Sequence, residues 1–454
     1  MLCKQCGAQI RKEHKKADGI YQCPDCGKMY RLKSSSAAGG KAPAGKKAKR
    51  GVDKRLLIGG VALLLVLAIL LVILVPGGED KKAAAPVETA VPTVEATAAP
   101  TPVPTATAEP IQAASVHFRA VGDIMSHKLQ LRHAKEQGSY DPQFQYVKDA
   151  LTNADFTIGN LELSIATDNE YSSFPFFRTP EIILDTLKDC GIDMFTVANN
   201  HILDGFWDGL VKTLDELDER GFDHVGADRS REEAAQPMIR DINGIRFGFL
   251  AYTKDTNENE KRLKNGEADF CVKYLDEANF KKDVQELRDL GAEVVICMPH
   301  WGIEEKRSVT GECKRYAQEM VDAGVDIILG SHPHVVLPIN VGEMDVNGEK
   351  KDVLIAWSMG NFISYMAAKY MDSGIIVDFT VTRDETGKIS IHDVGYVPVY
   401  VWGNTERFHL ICSGDFYSNQ PDKMSDSDFK RMRQSVKEIS DMIGNGNGVT
   451  MLQH

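Results

Sequence analysis

The 454-residue chain predicts an α/β fold, preceded by a small metal-binding ribbon and one membrane-spanning helix. Three observations lead there. From Val116 onward, strand-like apolar runs alternate with amphipathic helical patterns, which is how a layered α/β domain reads. Residues 56–75 carry no charge. Four cysteines near the start stand as two C-x2-C pairs. Length alone suggests two or three folded units.

Residues 1–33 hold Cys3, Cys6, Cys23 and Cys26, each pair followed by glycine. This spacing is that of a zinc ribbon, in which one structural zinc replaces the core that so short a segment lacks. Two disulfides are the alternative. The neighbouring charge argues against them, because it places the segment in the reducing cytosol. Residues 34–55 form a basic linker that ends in Lys46, Lys47, Lys49, Arg50, Lys54 and Arg55. Up to Arg55 there are 15 Lys and Arg against 4 Asp and Glu, which leaves 38 against 61 for the remainder. A nucleic-acid patch would show the same cluster. The apolar run that follows at once makes it the cytoplasmic flank of a membrane span, and no nucleic-acid partner is expected. Leu56 to Val75 suffices to cross about 30 Å of hydrocarbon. The positive flank puts the N-terminus inside and everything after Pro76 outside. Residues 76–115, rich in Pro, Ala and Thr, form an extended linker whose reach is roughly 100 Å at polyproline-II rise.

The domain at 116–412 shows helical patterns near 144–151, 181–190, 209–220, 275–290 and 313–323. Strand-like runs occur at 117–121, 156–159, 194–198, 245–251, 293–298 and 325–329. After Lys350 the pattern becomes mostly β, which suggests a second sheet packed on the first. Residues 413–454 read as a helix from Ser427 to Ile443 and a loose tail. Cys190, Cys271, Cys297, Cys313 and Cys412 are an odd number, which leaves at least one thiol unpaired, and no pairing is assigned; Cys190 and Cys297 lie in apolar runs and read as core.

The chemistry gathers where apolar runs end. Gly122-Asp123, Asn160-Leu161-Glu162, Asn199-Asn200-His201, His300-Trp301 and His332-Pro333-His334 each follow a strand-like stretch. Strand ends are where open α/β sheets place their sites. Asp123, Glu162, Asn200, His300, His332 and His334 form a mixed oxygen and nitrogen ligand set suited to Mn, Fe or Zn, singly or in pairs. On extended backbone, His332 and His334 would share one side. Each histidine alone would be a hydrogen-bonded loop residue, and the set carries the metal reading. His201 and Asp204 suit an acid and its orienting carboxylate, with a helix N-cap as the other role for Asp204. Arg178 is either an anion contact or a surface charge. Trp301 is either a stacking platform or core. Asn160 and Asn361 complete the polar groups near the expected site as candidates for substrate binding.

These stretches, with Ser358–Phe362 and in this order, resemble the CapA/PgsA family of poly-γ-glutamate capsule biosynthesis proteins over roughly residues 116–400. The resemblance implies a calcineurin-like metallophosphoesterase αββα sandwich with metals at the strand ends. It also implies a part in the synthesis, export or anchoring of an anionic surface polymer, poly-γ-glutamate, at the cell membrane, with other membrane subunits of a synthesis complex. Residues 1–33 resemble the zinc ribbons that open many bacterial membrane proteins. Two positions depart from the phosphoesterase pattern: Met125 stands where an Asp-x-His motif has histidine, and Asn160 and Glu162 stand where an Asp is usual. The ligand set favours a metal-dependent hydrolase or transferase, and the departures favour a non-catalytic polymer-binding scaffold. The zinc ribbon alone supports a sensor.

Overall fold

The computed structural model describes residues 15–17, 20–22, 29–31 and 111–452, except 347, 367, 404–407, 413–416 and 445–447. The chain divides into two compact units, Met1–Thr107 and Ala108–His454. In the first, β1 (Lys15–Ala17), β2 (Ile20–Gln22) and β3 (Met29–Arg31) pair antiparallel in that order. The four ribbon cysteines and the expected span at 56–75 lie outside the described residues. Among the described residues, no helix is long and apolar enough to cross a membrane.

The second unit is a mixed α/β domain. Its strands are β4 (Ala114–Ile124), β5 (Phe156–Leu161), β6 (Ser164–Ile165), β7 (Arg178–Thr179), β8 (Met194–Thr196), β9 (Asp223–Val225), β10 (Met238–Ile242) and β11 (Ile245–Thr253). There follow β12 (Val294–His300), β13 (Ile327–Leu329), β14 (Ile339–Val346), β15 (Glu349–Ala356), β16 (Asn361–Ile363), β17 (Ser373–Arg383), β18 (Ile389–Gly403), β19 (Phe408–Cys412) and β20 (Thr450–Met451). One sheet runs β19-β18-β17-β4-β5-β8-β9 and the other β10-β11-β12-β13-β15-β14. Within the first, β4, β5, β8 and β9 are parallel; within the second, β11, β12, β13 and β15 are.

The sheets face each other through aromatic rings. Phe118 of β4 meets Phe247 of β11 at 4.9 Å and Phe379 of β17 at 5.2 Å between centroids. Phe156 meets Phe249 at 5.6 Å. Strand period puts Phe247 and Phe249 on one face, and each buried ring stabilises the fold by about 1.5–3 kcal/mol. Arg119 points the other way from Phe118 and bonds the Ala150 carbonyl, so the helical turns at 141–152 lie on the outer face of that sheet. The helices Glu277–Asp289 and Gly311–Ala323 cover the outer face of the other sheet. There Phe280, Val284 and Leu287 pack with Tyr252, Val295 and Cys297. The layers are therefore helix, sheet, sheet, helix.

Several expectations need correction. The second sheet is not the β-rich end of the chain: β15 belongs to one sheet, while β17, β18 and β19 join β4 in the other. Sheet membership is settled by long-range pairing, such as Phe379 with Phe118, which local pattern does not encode. The single helix expected at 144–151 is two turns, Asp141–Phe144 and Asp149–Thr152, although Phe144, Val147 and Leu151 are all buried. A helix at Lys128–Gln137 went unread because it buries only Gln130, His133 and Ala134 and has no apolar stripe. The helix Asp426–Ile443 packs on β18, and the tail expected to be loose pairs with it through β20. Cys190, Cys271, Cys297 and Cys313 are free and buried.

Candidate metal centre

Parallel strands bring their carboxyl ends to one edge, and here they bring ligands with them. Asp123 lies at the end of β4, Glu162 one residue past β5, and Asn200 in the loop after β8. His300 closes β12, and His332 and His334 follow β13. The β4 end is tightly packed: the Asp123 amide donates to the Gly360 carbonyl at 3.0 Å. A Cβ on Gly122 would stand 2.0 Å from that oxygen, so the position requires glycine.

All six expected ligands converge. Glu162, His300 and His332 offer ligand atoms within 4.8 Å of one another, and so do Asp123, Glu162 and His334. Glu162 belongs to both groups. His300 Nε2 lies 2.8 Å from Asn200 Oδ1 and 3.1 Å from His332 Nδ1, while its Nδ1 meets Ser331 Oγ at 2.9 Å. His334 Nδ1 lies 3.0 Å from both Asp123 Oδ2 and Asn361 Oδ1. Asn160 donates to Asp123 Oδ1 at 2.8 Å, and Asn199 donates to the Leu161 carbonyl at 2.8 Å. Asn199, adjacent to a predicted ligand, was not predicted as a site residue; it locks the Asn200 loop onto β5, and its only sequence signal was its place in Asn199-Asn200-His201.

Without metal, the electrostatics are those of two close buried carboxylates held together by protons, one of them on His334. Burial, then the charge of Asp123, pushes the Glu162 carboxyl well above its usual range. Both Glu162 oxygens are buried, and no donor reaches either with hydrogen-bond geometry. Burial opposes ionisation of Asp123 too, but the His334 hydrogen bond and charge outweigh it and hold that carboxyl low. Burial works against a charged His334, yet Glu162 and Asp123 raise it to about 10. Burial lowers His300 to about 4 and also holds His332 well below the usual histidine range, which keeps both imidazoles neutral, as metal ligation requires. A divalent cation fits this set: it would satisfy the bare Glu162 oxygens and replace the repulsion between Glu162 and Asp123 by attraction.

His201 adjoins the cluster. Its Nδ1 meets Asp204 Oδ2 at 2.7 Å, and Asp204 also accepts from the Phe177 amide at 2.6 Å. The helix begins at Phe206 with Gly205 at the cap, so Asp204 is not an N-cap. Phe177 lies edge-on to both His201 and His127, at 4.7 and 4.9 Å.

Other candidates move. Trp301 is 1% exposed, donates to the Trp357 carbonyl and stacks on Trp357, so it is core and no platform for substrate. Asn361 is fully buried and braces His334, donating meanwhile to the Met371 carbonyl; it is not open to substrate. Asn160 is likewise buried behind Asp123. Arg178 pairs with Asp168 at 2.7 Å. His332 and His334 sit on left-handed backbone, φ 93° and 57°, so they converge by a strained turn and not by strand alternation.

The family model described as "Bacterial capsule synthesis protein PGA_cap" matches residues 117–366, more than half of the chain. The PGA biosynthesis protein CapA of Bacillus subtilis (strain 168) is 29% identical over 288 residues, which is 62% of this chain and 72% of the relative. The capsule biosynthesis protein CapA of Bacillus anthracis is 28% identical over 258 residues, 54% of this chain and 58% of the relative. Among solved structures, the calcineurin-like phosphoesterase YfkN from Bacillus subtilis aligns with a TM-score of 0.39 at 12% identity, covering 72% of this chain and 98% of that one. On the family match and its relatives, this chain belongs to the CapA family of bacterial capsule synthesis proteins.

Proposed function

We propose that this protein is a membrane-anchored, extracellular, metal-dependent hydrolase or transferase that acts on an anionic surface polymer such as poly-γ-glutamate, on a calcineurin-like metallophosphoesterase domain. The observation that carries the reading is the pair of ligand groups sharing Glu162, with both its oxygens buried and without a hydrogen bond. The helix-sheet-sheet-helix order and the strand-end position of the ligands support the phosphoesterase fold. The capsule-synthesis names of the relatives support the polymer. The uncharged run at 56–75, preceded by basic residues, supports an anchor with the N-terminus inside and membrane partners, and the paired Cys3, Cys6, Cys23 and Cys26 support a structural zinc in the ribbon.

Asp123, Glu162, Asn200, His300, His332 and His334 would hold the metal, for which Mn, Fe and Zn suit the mixed ligands. Bound divalent metal supplies an activated water and polarises the oxygen under attack. His201, its Nδ1 fixed by Asp204, keeps Nε2 to hold a proton for the leaving group. Asn160 and Asn361 orient Asp123 and His334 from behind.

Metal analysis of the purified chain tests this. Wild type should carry at least one Mn, Fe or Zn per chain beyond the ribbon zinc. His332→Ala should lose metal and all turnover of poly-γ-glutamate. Equal metal content in both would end the reading. A second reading, a polymer-binding scaffold, is favoured by Met125: a thioether 2% exposed stands where a ligand histidine is usual. Metal and polymer bound without turnover would establish that one.

A further inference from the structure

An aromatic and cationic rim adjoins the loop that carries Asn200, His201 and Asp204. Arg262 ends the 3-10 turn Asn259–Arg262. That segment is docked on the loop: Asn257 donates to the Asn200 carbonyl at 2.9 Å, and Asn259 to Asp204 Oδ1 at 3.4 Å. The Arg262 guanidinium lies 5.2 Å from the Phe206 ring centroid and 5.7 Å from that of Phe176. Both rings have neighbours in the site. Phe176 precedes Phe177, whose ring touches His201, and Phe206 follows Asp204 by two residues.

Two features point to a ligand. Phe206 is 38% exposed and holds φ at 55°, a left-handed conformation that a bulky residue rarely adopts. Strain of this kind collects at binding and catalytic positions. Second, among the described residues no carboxylate pairs with Arg262, whereas Arg178, the arginine the sequence suggests, is occupied by Asp168. A guanidinium laid over ring faces keeps its in-plane N–H groups free, and that fork matches a carboxylate.

We propose that Arg262, oriented by Phe176 and Phe206, forms a subsite for a carboxylate of an anionic polymer beside the metal centre; this rests on the polymer reading above. Repeating carboxylates let one chain engage the rim while a neighbouring unit lies at His201. Arg262 would bind the polymer directly, and its own side-chain contacts are the rings of Phe176 and Phe206.

The test measures binding of poly-γ-glutamate and of its neutral methyl ester to the purified full-length chain, with metal content and thermal unfolding followed in parallel. Arg262→Ala should weaken binding of the acid form about tenfold or more, the size of a lost charge-assisted contact. Metal content and Tm should stay unchanged, and the weak binding of the ester should not move. Arg262→Lys should recover only part of the loss, because lysine has charge without the fork. Wild-type affinity in Arg262→Ala overturns the subsite and leaves the polymer reading standing. An equal loss for acid and ester also overturns it, since that would be a structural effect. No binding of poly-γ-glutamate by wild type overturns both.

Discussion

Glu162 and Asp228 are both carboxylates that burial drives toward the protonated form, and both carry an oxygen with no hydrogen-bond partner. Their surroundings differ. Glu162 is ringed by His300, His332, Asp123 and His334, whose ligand atoms point at one another. Asp228 lines a cavity of about 330 Å³ with His224, Arg229 and Lys273, and this cavity shares no residue with the strand-end site. Burial raises Asp228 to about 7, against the pull of Lys273. A bare buried oxygen is thus not a metal site by itself. It becomes a candidate for one where parallel strand ends deliver three or more ligand atoms together.

Substitution should separate the two carboxylates, and the largest effect belongs to Glu162→Gln. It should abolish metal binding and turnover while raising the stability of the metal-free protein at neutral pH. The sign follows from the raised carboxyl: over the range above its ordinary value the native state holds an extra proton, so metal-free wild type loses stability as pH rises and the glutamine variant does not. Saturating metal should reverse the ranking, giving wild type about 2.7 kcal/mol at a hundredfold excess over Kd. Denaturant melts at two pH values, with and without chelator, read both effects. Full metal retention in Glu162→Gln would remove the distinction from Asp228.

His201→Ala sharpens the contrast from the other side. It touches chemistry without the ligands, so metal content should hold while turnover falls about 10²–10⁴-fold. Loss of metal instead would make His201 a ligand.

The smallest effect is expected at Asp228. Its folded value of about 7 lies above the ordinary 3.8, so wild type loses stability between those pH values and no further above them. Asp228→Asn should be more stable than wild type above pH 7, by about 1–3 kcal/mol after allowing for solvent access, and indistinguishable from it below pH 4. Metal content and turnover should not change. A drop in either would mean that the cavity communicates with the site.

The candidate ligands were legible in the sequence because each closes a short apolar run, and apolar runs in an α/β pattern end on one edge of a sheet. Asp123, Glu162, Asn200, His300, His332 and His334 needed no more than that. The partners of those ligands were not legible in the same way. Trp301 reads as a platform or as core until Trp357 is seen stacked on it, and Asp204 reads as the partner of His201 or as a cap until the helix is seen to start beyond it. Arg178 and Arg262 are equally plausible anion contacts in one dimension; only the fold gives Asp168 to the first and two ring faces to the second.

Local periodicity, turn residues and residue chemistry are carried by neighbours along the chain, and by themselves they determined the α/β alternation, the strand-end ligand set and the uncharged run at 56–75. Which strands share a sheet, how His332 and His334 come to lie on either side of Glu162 from left-handed backbone, and which oxygens are left bare were decided by contacts between residues far apart in sequence. Such contacts depend on how two sheets and their helices fill space together, and no window of the sequence contains that information.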